Sequence, residues 1–362
     1  MSEREDLEVI HLVTTLERGG AENQLLVLCR EQVNLGLKVR VYYLKGKGEL
    51  EEDFSSIGVT VGKIDTIKKT ILLREQLKRK KGLPIHCHLP RAEIFGFAII
   101  IFTNNLLFVS RHNAEQFYKS VPKFISSCIS QLILRRATSV IAISWAVRQF
   151  ILEYNEISKK DYAKISVVHY GFNPELSLSN NSKRASYENV FRIGTIARLT
   201  KQKDLKTLIN GFDLWQQEFP NSELFILGEG EERFALQDLV SEKKLGDKIH
   251  LLGRNRDIVR FLESLDVFVL SSQYEGFGLV LLEAMQSNVP ILCTNVSALP
   301  EVMGRDYQGF FQPGNSRELF LLLRKCQDLE FTSKLTENYR ARLDQFNPKK
   351  MALRIVSLYG HQ

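Results

Sequence analysis

The sequence is poor in cysteine and holds none in a metal-binding or redox spacing. Its five cysteines, Cys29, Cys87, Cys128, Cys293 and Cys326, are scattered, odd in number and nowhere arranged as C-x-x-C. That excludes a disulfide framework and suits reduced thiols in a cytosolic compartment. No apolar run approaches the ~18 residues of a membrane-spanning helix; the most apolar stretch of the first half, residues 95–102, is too short. The start, Met1-Ser2-Glu3-Arg4-Glu5-Asp6, is charged and acidic, unlike a secretory signal. Asp-x-Asp, one arrangement of paired carboxylates able to hold a divalent metal, occurs nowhere. Gly228-Glu229-Gly230 is too short for a dinucleotide fingerprint.

What is present is an ordinary globular composition, 44% hydrophobic and 25% charged, over 362 residues. That length suits two domains. Charge is uneven. Residues 61–150 hold 15 Lys and Arg against 4 Asp and Glu, whereas residues 191–362 hold 22 of each. The basic excess therefore lies in the first half. Nucleic acid could use such charge, but no aromatic-basic motif supports it.

Strand and helix signals alternate along the chain. Strands are expected at 9–13, 39–44, 59–64, 86–89, 106–110, 140–143 and 165–169, with helices after residue 22 and at 67–81, 124–136 and 146–154. This is a doubly wound α/β half. Residues 173–189, rich in Ser and Asn, read as a linker. The alternation restarts with strands at 191–196, 223–227, 249–252, 267–270, 291–293 and 309–311, and a tail from 332 to 359 reads as helical apart from Pro348. The expected domains are 1–175 and 190–340, with 341–362 as a closing helix.

The chemistry is expected in residues 271–285, Ser-Ser-Gln-Tyr-Glu-Gly-Phe-Gly-Leu-Val-Leu-Leu-Glu-Ala-Met. A buried strand, Val267–Leu270, runs into a glycine-flanked turn and a helix opening at about Gly278. Such a junction aims uncovered backbone N–H groups and a positive helix end at an anion. Glu275 and Glu283 beside it would repel a bare phosphate, yet carboxylates accept well from vicinal hydroxyls. A nucleotide sugar has hydroxyls on both sides of a diphosphate. Two solvated glutamates on an ordinary βα unit would show the same spacing.

Glu275-x7-Glu283 within E-G-F-G-L-V-L-L-E-A-M, followed by Pro290 and Leu299-Pro300-Glu301, resembles the nucleotide-sugar site of GT-B glycosyltransferases, most closely the retaining family 4. The resemblance covers nearly the whole chain. It implies two Rossmann-like domains facing across a cleft, with a C-terminal helix crossing back to the first. It also implies that Glu275 holds sugar hydroxyls, Glu283 the ribose, and Gly276, Phe277, Gly278 and Leu279 the turn around the donor. Arg198 and Lys203, in Arg-Leu-Thr-Lys-Gln-Lys after the strand 191–196, resemble the segment that grips the donor diphosphate, where two cations neutralise a growing negative charge. Gly228 resembles a turn beside the donor, and Arg254 the segment over the base. Gly19 and Gly20 resemble the first-domain glycine loop, Glu22 follows them, and His112, after the strand 106–110, resembles the histidine set against the transferred sugar. His86 and His88 share a strand face and could mimic a metal pair, but no third ligand with suitable spacing appears, and a buried or loop-satisfying role is expected instead.

The family pattern is broken at Tyr170-Gly171-Phe172-Asn173, where Asn-Gly-Val-Asp is common, and at Asn288, where a glycine usually ends the helix. Asn tolerates the left-handed cap.

A basic, partly amphipathic face suits an anionic bilayer and a lipid-linked acceptor. It comprises Lys68, Lys69, Arg74, Lys78, Arg79, Lys80 and Lys81 on one helix, with Lys119, Lys123, Arg135 and Arg136 flanking Ile125, Ile129, Leu132 and Ile133 on another. The expected function is metal-independent, retaining transfer from a nucleotide-diphosphate sugar, a UDP-sugar above others, to a lipid-linked or other glycan acceptor. The expected place is the cytoplasm, on the inner face of the cell membrane. The rivals are a nucleotide-sugar epimerase on the same scaffold, a non-catalytic nucleotide-sugar or lipid binder, and a transferase acting on a soluble glycan.

Overall fold

The structure, a computed structural model, describes residues 7–118, 121–155, 159–172, 190–255 and 257–360. The expected linker at 173–189, Asn173 and Lys119 lie outside the described residues. Contacts divide the chain into two units, Met1–Phe172 with Phe346–Gln362, and Asn173–Gln345.

The first unit is built on a seven-stranded parallel sheet. Its strands are β1 (Glu8–Val13), β2 (Lys38–Tyr43), β3 (Thr60–Lys63), β4 (Pro84–His88), β5 (Leu106–Arg111), β6 (Ser139–Ala142) and β7 (Ile165–Val167), in the order β3-β2-β1-β4-β5-β6-β7. Its connecting helices are α1 (Gly20–Asn34), α2 (Glu51–Ser56), α3 (Ile67–Arg79), α4 (Pro90–Ile100), α5 (Lys123–Arg136) and α6 (Trp145–Asn155). The winding reverses between β1 and β4, and the loops leaving those two strands diverge there, which is where open α/β sheets bind ligands.

Two helices went unseen in the sequence pattern. Residues 95–102 stand out there only as an apolar run; they belong largely to α4, which starts at Pro90, whose missing N–H costs nothing in a first turn. Ala92, Gly96, Ile99 and Ile100 face the sheet. Gly96 permits that approach, since a Cβ there would lie 2.2 Å from Cys87 Sγ. The short α2 carries Glu51, Glu52 and Asp53 in its first turn, complementing the helix dipole, and is anchored by buried Phe54.

The second unit repeats the plan with six parallel strands. In chain order it runs β8 (Phe191–Ile196), α7 (Leu205–Glu218), β9 (Ser222–Leu227), α8 (Arg233–Glu242), β10 (Ile249–Gly253), α9 (Ile258–Glu263), β11 (Val267–Leu270), α10 (Leu279–Gln286), β12 (Ile291–Thr294), α11 (Leu299–Met303), β13 (Phe310–Phe311), α12 (Ser316–Lys325), α13 (Leu329–Thr336) and α14 (Tyr339–Gln345). The sheet order is β10-β9-β8-β11-β12-β13, so its reversal falls between β8 and β11. Ile193, Phe212, Trp215, Val267, Val269 and Leu319 are fully buried in one core, each burial contributing about 1.5–3 kcal/mol. Asn288 closes α10 with φ at +53°, the left-handed conformation its small polar side chain tolerates.

The last helix, α15 (Pro348–Tyr359), belongs to the first unit and packs on α1. The tail is therefore three helices, and Pro348 begins one of them. The side chain of Asn347 accepts from the Lys350 N–H as its cap, with Pro348 in the first turn. The Phe172 N–H donates to the Phe346 carbonyl at 2.7 Å, and a Cβ on Gly171 would meet Pro348 Cα at 2.5 Å. Among the described residues no helix is long and apolar enough to cross a membrane.

Candidate active site

In the second unit the loops that leave β8 and β11 are tied together. The Gln273 N–H donates to the Gln202 carbonyl at 2.8 Å, Gln202 Nε2 donates to the Tyr274 carbonyl at 2.9 Å, and Ser271 Oγ donates to the Lys203 carbonyl at 2.9 Å. Both loops thus become one rigid platform at the carboxyl end of the sheet. On it Lys203 Nζ lies 2.5 Å from Glu275 Oε1, and Ser272 Oγ donates to the same oxygen at 2.7 Å. Both partners of the ion pair are largely buried, their side chains 13% and 8% exposed. Ser272 is in turn fixed through its carbonyl, which accepts from Thr294 Oγ1 at 2.6 Å.

Arg198 differs from Lys203. It is exposed and makes no ion pair or side-chain hydrogen bond among the described residues. Lys201 is exposed too, on the short turn between them.

The helix α10 opens one residue after Gly278, whose φ of +89° places it in the left-handed region and whose missing side chain leaves the first turn's amides uncapped. Gly276 and Phe277 are buried, Leu279 is half-buried, and the Phe277 ring serves the core. Glu283, two turns along α10, is half-buried and has no side-chain partner among the described residues. Burial pushes its carboxyl up to about 7, because a carboxylate without a donor is costly away from water.

Gly228 is required by shape. Its φ is +147°, and a Cβ there would fall 1.9 Å from the Ala197 carbonyl. Only a glycine lets the turns after β8 and β9 touch. Its N–H donates to the Gly253 carbonyl at 2.7 Å, which brings in the end of β10 and places exposed Arg254 beside the same sheet end.

In the first unit Gly19 caps α1, with Gly20 as its first residue. Glu22, in that first turn, is buried and accepts from Thr15 Oγ1 at 2.6 Å. His112 follows β5 and is half-buried. Its Nδ1 lies 2.5 Å from the Tyr170 hydroxyl and its Nε2 3.2 Å from His88 Nδ1. Burial, with Arg111 adding to it, lowers the His112 pKa to about 4. Arg111 itself is held in the interior by Glu93 at 2.8 Å and donates to Ser130 Oγ at 3.0 Å.

His86 and His88 are buried, in line with the structural role expected for them, but the structure corrects the reading that no third ligand-type residue stands near. A third histidine joins them: β1 pairs with β4 so that His11 stands opposite His86, and ligand-type nitrogens of His11, His86 and His88 come within 4.8 Å of one another. Strand register is invisible in a single sequence. His88 ends β4, fully inside. Ser272 and Tyr170, which hold Glu275 and His112, also went unremarked as site residues because their partners are distant in sequence.

Model matches to known families agree with this geometry. Residues 179–341 match the model described as Glycosyl transferases group 1, and residues 18–176 match Glycosyltransferase Family 4. The chain is a glycosyltransferase, its first half matching family 4 and its second half group 1. Among relatives of this glycosyltransferase, an uncharacterized glycosyltransferase of Methanocaldococcus jannaschii is 29% identical over 56% of the chain, the match covering 51% of that protein's own length. CapM of Staphylococcus aureus, a capsular polysaccharide biosynthesis glycosyltransferase, is 23% identical over 82% of the chain and 80% of its own. HepE of Anabaena, solved in complex with UDP and glucose, superposes with a TM-score of 0.82 at 19% identity, covering 98% of this chain and 100% of that one. The fold of this glycosyltransferase is GT-B, two Rossmann-like units.

Proposed function

We propose that the chain transfers a sugar from a nucleotide-diphosphate sugar, a UDP-sugar in particular, to a lipid-linked or other glycan acceptor, with retention of anomeric configuration and without a metal. The observation that carries this reading is the contrast at the carboxyl end of β8 and β11. Arg198, an exposed cation with no side-chain partner among the described residues, shares the loop after β8 with Lys203, which pairs with Glu275 after β11, and Glu283 on the following helix is likewise without a side-chain partner among them. Arg198 and Lys203 would take the diphosphate, with the uncapped end of α10 adding its dipole. Glu283 would accept from the ribose hydroxyls and Glu275 from the sugar's. Gly228 would keep the turn close to the donor and Arg254 would lie over the base. From the first unit, the family resemblance supports a role for His112 at the transferred sugar and for Gly19 and Gly20 in the glycine loop.

Retention with no assigned nucleophile leaves a same-face route. The acceptor oxygen bonds to the anomeric carbon as the sugar–phosphate bond breaks, and the acceptor's proton passes to the departing phosphate. UDP in HepE supports the base, and CapM's name supports a polysaccharide-related acceptor.

Membrane attachment is proposed for the basic face. On α3, Ile67, Ile71 and Leu72 are exposed beside Lys68 and Arg79. On α5, Phe124, Ile125 and Leu132 are exposed between Lys123 and Arg135 with Arg136. The stripe differs from the sequence expectation, because Ile133 is buried and Ile129 half-buried. Lys69, Lys78 and Lys80 pair with Asp65, Glu75 and Glu8, which leaves fewer free charges than the sequence suggests.

Incubation with UDP-, GDP- and ADP-sugars, with and without a polyprenyl-diphosphate glycan acceptor, tests the reading. Acceptor-dependent release of UDP with an unchanged anomeric configuration is expected. Conversion of the donor sugar without any acceptor would instead show an epimerase.

A further inference from the structure

Behind His112 lies an unbroken chain of hydrogen bonds. Tyr170 meets His112, His112 meets His88, His88 Nε2 lies 3.0 Å from His11 Nδ1, and His11 Nε2 lies 2.8 Å from Gln32 Oε1. Beyond it, Gln32 Nε2 donates to the Tyr359 hydroxyl at 3.3 Å. That hydroxyl lies 2.7 Å from His86 Nδ1, and His86 Nε2 lies 2.8 Å from Ser110 Oγ. The groups come from β1, β4, β5, α1 and α15 and from positions 112 and 170 just past strand ends.

A neutral imidazole has one N–H and one lone pair, so a single known direction orders the rings joined directly to one another, and His86, reached through a hydroxyl, is ordered by the need to give the buried Tyr359 proton an acceptor. The Gln32 carbonyl can only accept. His11 therefore donates through Nε2, and its Nδ1 accepts from the His88 Nε2–H. His88 Nδ1 then accepts from the His112 Nε2–H, and His112 Nδ1 accepts from the Tyr170 hydroxyl. On the other side Gln32 donates to Tyr359, Tyr359 to His86 Nδ1, and His86 through Nε2 to Ser110. Every bond is made with one proton per ring and no net charge, which a buried site requires. All the ring nitrogens of the His11, His86 and His88 cluster are already engaged, so a metal there would have to break the chain.

We propose that His11, Gln32, His88 and Tyr170 are positioning residues that hold His112 as its neutral Nε2–H tautomer, with both ring nitrogens turned inward. His112 then meets the sugar as a fixed, uncharged surface and does not act as a general base, since its one lone pair is committed to Tyr170. This rests on the reading that His112 serves the transferred sugar.

The test is long-range proton–nitrogen correlation NMR on the full chain with nitrogen-15 in its histidine rings. His11, His86, His88 and His112 are all expected to carry their proton on Nε2. His112 found with the proton on Nδ1, with both nitrogens protonated, or averaging between tautomers would overturn the proposal. Tyr170→Phe keeps the ring stacked on His112 and removes only the hydroxyl. It is expected to set the His112 tautomers exchanging and to lower turnover on the order of tenfold, with the donor KM unchanged. Gln32→Leu should act likewise from the far end; if it does not fold, Tyr170→Phe carries the test. Exchanging tautomers with wild-type turnover would overturn the positioning role. The donor-site reading would be untouched, because donor binding to the wild type judges that separately.

Discussion

Arg198 and Lys203 share one loop and one proposed task, yet truncation should separate them. Arg198→Ala removes an exposed cation with no partner among the described residues, so kcat/KM should fall about 10²–10³-fold with an unchanged Tm. Lys203→Ala should lose activity as well, but it also strands Glu275 in the interior. Breaking such a buried pair costs about 3–5 kcal/mol, which urea unfolding would register. Glu283 makes a pH prediction. With its carboxyl raised to about 7 by burial, it loses its charge as pH drops through 7 and accepts hydroxyls less well. Donor KM should therefore rise below pH 7, and Glu283→Gln should flatten that limb. For the unliganded chain the sign is opposite: the raised pKa favours folding at acid pH, and that contribution is lost as pH rises through 7. At this scale the sequence was informative about identity and position. Arg198, Lys203 and Glu275 sit on the loops that follow β8 and β11, as their flanking apolar runs predict, and Glu283 lies two turns along the helix α10. It was silent about pairing, because Lys203–Glu275 and Tyr170–His112 join residues far apart in the chain.

Elements, rather than single residues, explain why the glycine turns and the histidine cluster lie where they do. The turns after β8 and β9 interlock only because Gly228 has no side chain. Gly228→Ala would combine a strained φ, about 1–3 kcal/mol, with a clash against the Ala197 carbonyl, and a loss beyond 3 kcal/mol is expected in chemical denaturation. The histidines of β1 and β4 predict acid sensitivity. Burial lowers His11 to about 4 and holds His86 and His88 well below their ordinary value, neighbouring histidines contributing in the latter two. The unfolded chain takes up protons from pH 6.5 downward while the folded one does not. Stability should then fall as pH drops from 6.5 toward 4, by up to about 1.4 kcal/mol per pH unit for each such histidine. Denaturation midpoints at pH 7.5 and 5.5 check this, and a His11→Leu variant should show a shallower slope. Strands were the best-read elements, since continuous apolar runs mark buried parallel strands. The helix α4 was missed for the same reason: apolar almost all round, it lacks the 3.6-residue alternation that identifies a half-exposed helix.

The whole molecule shows two doubly wound units, and in the second the sheet reverses between β8 and β11, the strands whose loops carry the candidate donor residues. Its charge asymmetry gives a prediction at this scale. Vesicles rich in anionic lipid should sediment the chain at low salt and release it as salt rises, and Ile71→Glu with Leu132→Glu should abolish the binding without changing turnover on a soluble acceptor analogue. The central claim, however, concerns the donor. A crystal structure of the chain with a bound UDP-sugar tests it most directly. The Lys203–Glu275 pair is predicted to open, with Lys203 and Arg198 on the diphosphate, Glu283 on the ribose and Glu275 on the sugar. A nucleotide lodged away from the carboxyl ends of β8 and β11, with that pair intact, would contradict the account.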